Sequence, residues 1–234
     1  MEWSNFINDK INQAYCDLVF LLDRGFPKKS SLNFVGNHYI FDINQRNVLF
    51  RAVYPINVVR TVQDHLIRDS ALLSNKDLHI DLYNQLFTYY SLINQDPIII
   101  SRDGVIRDIF TSLHREKDLK ITHDLINQYL SVVSHLKPNR VFFYLDAQKS
   151  HSKKHANLIS GLVPEFDISG ECIVNKTVDR FLKEQTQGVT ISHDSVILYA
   201  APYCFDFYRW VIGSKILPLV STEGILDFEK IMCS

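Results

Sequence analysis

Short apolar runs bounded by polar turns alternate with helical periodicity over most of the chain. From Asp77 onward, the runs are rich in β-branched and aromatic residues and are typical of buried parallel strands. They predict strands at 78–82, 97–101, 140–145, 171–175 and 188–192. The segments between them predict helices at 84–93, 122–136, 151–162, 178–185, 194–201 and 205–213, and Thr122 is placed to cap the second of these. This alternation predicts an α/β domain whose parallel sheet carries helices on both faces.

The N-terminal part of the chain follows a different pattern, in which helical spacing dominates. The apolar positions of Ile11–Leu22 fall on one helix face, and Gly25-Phe26-Pro27 ends that helix. Asp42 is placed to cap a later helix of the same region. We therefore predict a small all-α domain at 1–73, with a helix-turn-helix-like rhythm, followed by an α/β domain at 74–234.

Composition narrows the class of protein. Apolar residues make up 46% of the chain, which is ample for a packed core. A formal net charge of -1 argues against a globally basic protein, although a local basic patch stays compatible with it. The four cysteines lack metal-ligand spacing, so we expect reduced thiols rather than zinc. Neither a signal peptide nor a membrane-spanning run is visible, so we expect a soluble cytoplasmic protein with no membrane partner.

Aspartates stand at the ends of most predicted strands. Asp81, Asp103, Asp146 and Asp194 close or follow apolar runs, and Asp179 opens the helix after another. The carboxyl ends of parallel strands meet at the edge where α/β proteins bind ligands. Carboxylates gathered there repel one another and suit a hard cation such as Mg²⁺ or Mn²⁺. A helix cap or a turn explains each aspartate singly, but Ser, Thr and Asn cap equally well.

Polar and basic residues flank these acids. Asn84, Ser192, Ser195 and Asp108 could position waters or ligands beside them. The cations and hydroxyls near Asp103 and Asp146 are candidates for contact with a phosphate backbone, the alternative being an ordinary solvated surface. These candidates are Arg102, Arg107, Lys149, Ser150, Ser152, Lys153 and Lys154.

Several of these segments resemble known families. The run 80–84 resembles the "D-G-x-N" strand end of PIN and NYN-type nuclease domains, and 191–195 resembles their "T-N-D" or "S-N-D" turn. Asp179 before an apolar helix resembles their third acid. The run 24–29 resembles the archaeal family called domain of unknown function 434, and 102–108 resembles the PIN-like domain that commonly follows it.

The resemblance implies a three-layer α/β/α PIN-like domain that cuts RNA, or sometimes DNA, by metal-dependent phosphodiester hydrolysis. Asp81, Asp179 and Asp194 would then hold one or two Mg²⁺ or Mn²⁺ ions, with Asp103 and Asp146 as further catalytic acids. The partner would be nucleic acid, with RNA expected before DNA, and a homo-oligomer stays open. The helical domain would bind nucleic acid or another partner through its cations, which are Lys28, Lys29, Arg46 and Arg51.

Two alternatives belong to other functional classes. The first is a non-catalytic module that binds nucleic acid or protein and keeps the PIN-like fold. Leu82, which stands where the nucleases have Gly, and the near-neutral charge favour it. The second is an α/β phosphatase, for which the sequence offers neither a Gly-rich phosphate loop nor an Asp-x-Asp motif.

Overall fold

A computed structural model of the chain describes residues 9–109, 121–217 and 225–233. The helices in chain order are α1 (Asp9–Asp23), α2 (Lys28–His38), α3 (Ile43–Ala52), α4 (Ile56–His65), α5 (Leu82–Ile93), α6 (His123–Ser134), α7 (Ser152–Leu162), α8 (Val178–Lys183), α9 (Ser195–Ala200) and α10 (Phe207–Ser214). The strands are β1 (Leu66–Ile67), β2 (Asp77–Asp81), β3 (Ile98–Ile100), β4 (Ile106–Asp108), β5 (Arg140–Asp146), β6 (Gly170–Asn175), β7 (Val189–Ile191), β8 (Cys204–Phe205) and β9 (Leu226–Asp227).

The chain forms two compact units, and the first of them is discontinuous. The first unit holds the described parts of Met1–Asp64, Ser91–Asp118 and Ser221–Ser234, and the second holds those of His65–Tyr90 and Leu119–Val220. This division differs from the predicted boundary at residue 74, because two later segments fold with the N-terminal helices. Local periodicity reports only neighbouring residues and cannot assign a late segment to an early core.

The first unit packs α1, α2 and α3 together with a three-stranded sheet. The sheet order is β4-β3-β9, in which β3 pairs antiparallel with β4 and parallel with β9. Ile99 and Phe228 from this part share one buried core with Leu18 and Leu49 of the helices. One sequence prediction was therefore wrong: the strand near 97–101 does not join the main parallel sheet. The N-terminal region is helical as predicted, but its helices share a core with strands from later in the chain. Strands β4 and β9 are too short to show a period of two.

The second unit is built on a six-stranded sheet in which every pairing is parallel. Its order is β1-β8-β7-β2-β5-β6. The consecutive residues Leu78, His79 and Ile80 of β2 are all buried, so both faces of this strand are covered. This sheet confirms the predicted α/β class with a mainly parallel sheet. Strands β1 and β8 have two residues each and were not predicted.

The contact between β2 and β7 requires a glycine. Gly188 precedes β7 with a φ of +79°, and a Cβ there would lie 2.5 Å from the carbonyl oxygen of Asp77. Nearby, the ring of His79 stacks on Phe142 with centroids 4.9 Å apart, and its Nδ1 lies 3.1 Å from the Tyr144 hydroxyl. Burial lowers the pKa of His79, so this histidine packs as a neutral ring.

Two predicted helix caps are present. Asp42 accepts a hydrogen bond from the backbone N–H of Gln45 at 2.9 Å, and the Gln45 side chain accepts one from Asp42 N–H in return. Thr122 accepts a hydrogen bond from Leu125 N–H at 3.2 Å at the start of α6. Within the described residues, the helices are too short or too polar to cross a lipid bilayer.

A disulfide joins Cys16 of α1 to Cys233, with Cα atoms 5.3 Å apart. It fastens α1 to the segment after β9, where the Phe228 ring lies 5.4 Å from that of Tyr15. The expectation of reduced thiols therefore holds only for Cys172 and Cys204. Sequence spacing could not reveal the pair, because 217 residues separate its two cysteines.

We expect reduction of the Cys16–Cys233 disulfide to lower the free energy of unfolding by about 2–5 kcal/mol, because the cross-link restricts the unfolded chain. Urea unfolding with and without a reductant measures this difference. Cys233→Ser should match the reduced wild type, and Cys172→Ser should keep the full response to reductant. Equal wild-type stability in both conditions would show that the bond contributes nothing.

A chain shortened to begin at Ser74 should fail to form a native core. It would keep Ile99 and Phe228 but lose the helices with which they are buried. We expect dye binding to exposed apolar surface and a poorly dispersed amide NMR spectrum. A well-dispersed spectrum without dye binding would contradict this division of the chain.

Candidate acidic site at the carboxyl edge of the parallel sheet

The strand order of the second unit places a crevice between β2 and β7. The chain leaves β2 towards β5 on one side of the sheet order and leaves β7 towards β8 on the other. Connections that diverge in this way open a gap at the carboxyl ends of the two strands, and open α/β sheets bind their ligands there. Asp81 ends β2, and Ser192 follows β7 directly. The topology therefore brings two segments together that are more than 100 residues apart in sequence.

Hydrogen bonds hold the polar groups in this crevice. Ser192 Oγ lies 3.1 Å from Asp81 Oδ2 and 3.3 Å from Asn84 Oδ1, so its proton can serve either acceptor. Asn84 Oδ1 also accepts the backbone N–H of His193 at 3.0 Å. Asp194 N–H donates to Ser192 Oγ at 3.1 Å, and Asp194 Oδ1 caps α9 by accepting Val196 N–H at 2.7 Å. Of the predicted site residues, Asp81, Asn84, Ser192 and Asp194 are thus brought together.

The carboxyl group of Asp81 has a strongly perturbed pKa. Burial raises this pKa from 3.8 to about 7, the Ser192 hydrogen bond opposes the rise, and the charges of Asp194 and Asp179 add to it. Asp81 also raises the pKa of the fully buried Tyr129, in addition to the larger effect of burial. A carboxyl group that titrates near neutral pH in a crevice is typical of a functional site.

Asp179 and Asp146 line a cleft of about 440 Å³ at the carboxyl ends of β5 and β6. Asp179 lies in the first turn of α8, and Asp146 Oδ1 accepts Gln148 N–H at 2.8 Å. The cleft presents cations and amide donors as well as acids. Its lining consists of Asp146, Gln148, Lys176, Thr177, Val178, Asp179, Arg180, Lys183 and Glu184. Arg180 pairs with Glu184 at 3.0 Å, whereas Lys176 and Lys183 have no ion pair with a described residue.

The predicted site residues 102–108 belong to the first unit and form structural ion pairs there. Asp103 is fully buried and receives two hydrogen bonds from Arg107, each of 2.7 Å. Burial opposes ionisation of Asp103, but the charge and hydrogen bonds of Arg107 prevail and hold the pKa of this carboxyl below its ordinary value. Arg102 pairs with Asp23 at 2.7 Å, and Asp108 pairs with Arg51 at 3.3 Å.

The predicted basic loop after Asp146 leads into α7. Lys153 and Lys154 are exposed in its first turn, whereas Ser152 is buried at its start. Lys149 N–H donates to the carbonyl oxygen of Asp146 at 3.1 Å, in a turn that also contains the exposed Ser150. Ser195 is the first residue of α9, directly after Asp194. The loop therefore follows the predicted strand that ends at Asp146, and it lies beside the cleft.

Several groups around these acids lie outside the predicted set of site residues. The Tyr83 hydroxyl lies 3.0 Å from His155 Nδ1, and the buried ring of His193 lies 3.0 Å from Thr88 Oγ1. Burial and nearby cationic groups lower the pKa of His155. The sequence carries one signal for the cleft, which is that Lys176 and Thr177 directly follow a predicted strand. The candidate aspartates were chosen because they stand at the ends of strands in the same way.

The donor set agrees in chemistry with a hard divalent cation. Asp81, Asp179 and Asp194 offer carboxylate oxygens and Asn84 an amide oxygen, which are the ligands that Mg²⁺ and Mn²⁺ prefer. The hydroxyl of Tyr129 is buried without a hydrogen-bond partner among the described residues, and its pKa responds to Asp81. Across the described ranges, however, no three His, Cys, Asp or Glu side chains already stand at ligating distances from one point.

Fold and site together define an α/β protein with an acidic crevice at the switch point of a parallel sheet. A family model described as Domain of unknown function (DUF5616) matches residues 70–210, and one described as Protein of unknown function (DUF434) matches residues 10–64. Uncharacterized protein MJ0935 from Methanocaldococcus jannaschii is 30% identical over 190 residues, which cover 80% of this chain and 88% of that protein. No solved structure gives a significant match.

The chain therefore belongs to the DUF5616 family and carries a DUF434 region at its N-terminal side. The predicted resemblance to DUF434 is confirmed.

Replacement of Asp81 by Asn should stabilise the protein in EDTA at alkaline pH. The folded state raises the pKa of Asp81 above its unfolded value, so this group's stabilising contribution is complete below about pH 4 and is lost as the pH rises through about 7. We expect a gain in unfolding free energy at pH 8 on the order of 2–4 kcal/mol and a smaller gain at pH 5.

Urea unfolding at the two pH values measures the gain. The matched control is Asp167→Asn, at an exposed loop position, which should change stability equally little at both. A loss of stability in Asp81→Asn at pH 8 would identify Asp81 as a structural cap alone.

Proposed function

We propose that this protein hydrolyses phosphodiester bonds of RNA as a metal-dependent endonuclease. The observation that carries the proposal is the position of Asp81 at the β2–β7 crevice, with a pKa raised by burial and by its neighbours Asp194 and Asp179. A site that concentrates negative charge in this way is suited to an added cation. We also propose that the second unit belongs to the PIN-like class, on the support of its parallel sheet and strand-end acids.

The polar groups near Asp81 would divide between holding a cation and orienting the side chains that hold it. Asp81, Asp179 and Asp194 would hold Mg²⁺ or Mn²⁺, with Asn84 within reach of the same ion or its waters. When bound, such an ion lowers the pKa of a bound water and neutralises charge on the phosphate. Ser192 orients Asp81 through its hydroxyl, and the cap at Val196 fixes the direction of the Asp194 carboxylate.

The cleft beside Asp179 is the proposed path for the RNA strand. Its volume of about 440 Å³ falls within the range of small-molecule sites, and Lys176 and Lys183 can contact phosphate oxygens. The Gln148 amide and Thr177 hydroxyl add uncharged donors. The lysines that precede and open α7, Lys149, Lys153 and Lys154, would add cations beside the cleft.

Two observations favour a non-catalytic binding module as the second candidate. Where the structure describes the chain, three ligating side chains do not already converge on one point. Leu82, in the place of the glycine found in PIN-type nucleases, is buried at the start of α5. In this case the cleft would bind RNA or protein without cutting it.

The cleavage test uses a fluorescently labelled single-stranded RNA with Mn²⁺ or Mg²⁺. We expect Asp81→Asn and Asp194→Asn to lower the rate at least 100-fold while the circular dichroism spectrum stays native, because each removes a carboxylate that would hold the metal. Asp167→Asn is the control and should cleave as the wild type does. Full activity in both variants, or activity that survives EDTA, would reject the proposed chemistry.

Metal-dependent thermal stability separates the two candidates. A folded protein that binds Mn²⁺ at this crevice should unfold at a higher temperature as Mn²⁺ is added, and Asp81→Asn should lose that response. A wild-type protein that binds RNA but shows neither a shift with Mn²⁺ nor cleavage would support the binding module instead.

A further inference from the structure

The first unit exposes aromatic side chains that a helical core would ordinarily bury. Phe20, Phe26 and Phe50 are 53%, 55% and 48% exposed, and Phe34 is 68% exposed. Single exposed apolar residues are common, but several on one small unit mark an interaction surface.

Two of these phenylalanines lie against cations, and a third lies between them in sequence. The Arg24 guanidinium carbon lies 3.4 Å from the centroid of Phe20, at the end of α1. Lys28 Nζ, at the start of α2, lies 4.6 Å from the centroid of Phe50 in α3. Phe26 stands in the connection between α1 and α2. We call Phe20, Arg24, Phe26, Lys28 and Phe50 the aromatic–cationic surface.

The charge of this surface is positive although the whole chain has a formal net charge of -1. The nearest acid in sequence, Asp23, is taken up by Arg102, which donates to both of its carboxylate oxygens at 2.7 and 2.8 Å. Exposed Lys29 adds a further cation. The surface therefore complements a polyanion.

The other predicted cations of this unit serve its fold. Arg46 donates to the carbonyl oxygen of Phe41 and to Asn37 Oδ1, both at 2.9 Å. Arg51 donates to buried Asp108 at 3.3 Å. Arg46 and Arg51 are therefore held by contacts within the fold, so a ligand of the first unit would meet the aromatic–cationic surface instead.

We propose that the aromatic–cationic surface binds single-stranded RNA by stacking bases on its phenylalanine rings, with phosphates held by Arg24 and Lys29. Unpaired bases present both faces to aromatic side chains, whereas a duplex conceals them. The guanidinium of Arg24, already placed beside a ring, offers a second plane for stacking and a phosphate donor. This binding is separate from hydrolysis at Asp81, since the surface lies wholly within the first unit.

The test measures fluorescence anisotropy of a labelled 12-nucleotide RNA with the full chain in EDTA, so that cleavage does not enter. The variant F20L/F26L/F50L keeps apolar area but removes the π-faces. We expect its dissociation constant to rise at least tenfold, because stacking contributes substantially at each base. R24Q/K29Q should flatten the salt dependence by roughly 0.7 in log–log slope for each phosphate that the variant no longer neutralises.

Two controls match these changes in chemistry and unit. F34L alters an exposed phenylalanine further along α2, and K10Q removes a cation at the far end of α1. Both should bind within twofold of the wild type, and the wild type should prefer single-stranded RNA to the duplex. Unchanged melting temperatures establish that the variants fold.

The proposal is overturned if F20L/F26L/F50L binds as the wild type does, if F34L weakens binding as much, or if duplex RNA binds equally well. A wild type that ignores RNA but self-associates in sedimentation experiments, with loss of association in F20L/F26L/F50L, would also overturn it and assign the surface to a second copy of the chain.

Discussion

Parallel pairing of β2 with both β5 and β7 is the constraint on which the second unit depends. Parallel strands cannot be joined by a hairpin, so the chain must cross over the sheet between them. The chain adds β5 and β6 on one side of β2 before it adds β7 and β8 on the other. The crossover that leaves β2 and the crossover that leaves β7 therefore lead in opposite directions along the sheet order. The glycine before β7 allows the close approach to Asp77 that this pairing needs. The crevice at Asp81 is therefore a consequence of the topology rather than of any local motif.

The molecule uses two of its carboxylates, at Asp103 and Asp81, in opposite ways. Asp103 forms an ion pair with Arg107 through two short hydrogen bonds, and the pKa of Asp103 is held low. Asp103 therefore has a structural role in the first unit. Asp81 has a hydroxyl partner but no ion pair with a described residue, and its pKa is raised. Removal of charge from water is costly unless a partner compensates for it. The carboxylate of Asp81 has no ion-pair partner among the described residues, so it can still bind a cation. For this reason the proposed function rests on Asp81.

Sequence pattern predicted the long elements and their caps well. Strand β5 and helix α6 carry enough residues to show their periods, and Asp42 and Thr122 cap within three residues, a purely local effect. The two-residue strands β1, β8 and β9 carry no period and were missed. The run near 97–101 was correctly predicted to be a strand but placed in the wrong sheet, because an apolar run of three isoleucines does not specify its partner.

The sequence by itself determined the α/β alternation, the acids at strand ends and the family membership, since these depend on residues close together along the chain. Only the tertiary structure decided which acids meet. Asp81, Asn84 and Ser192 share hydrogen bonds across more than 100 residues, whereas Asp103 is paired inside the first unit. The Cys16–Cys233 bond is likewise a product of packing. Strand order and burial are set by competition among all apolar segments for a common core, and no local window of sequence contains that information.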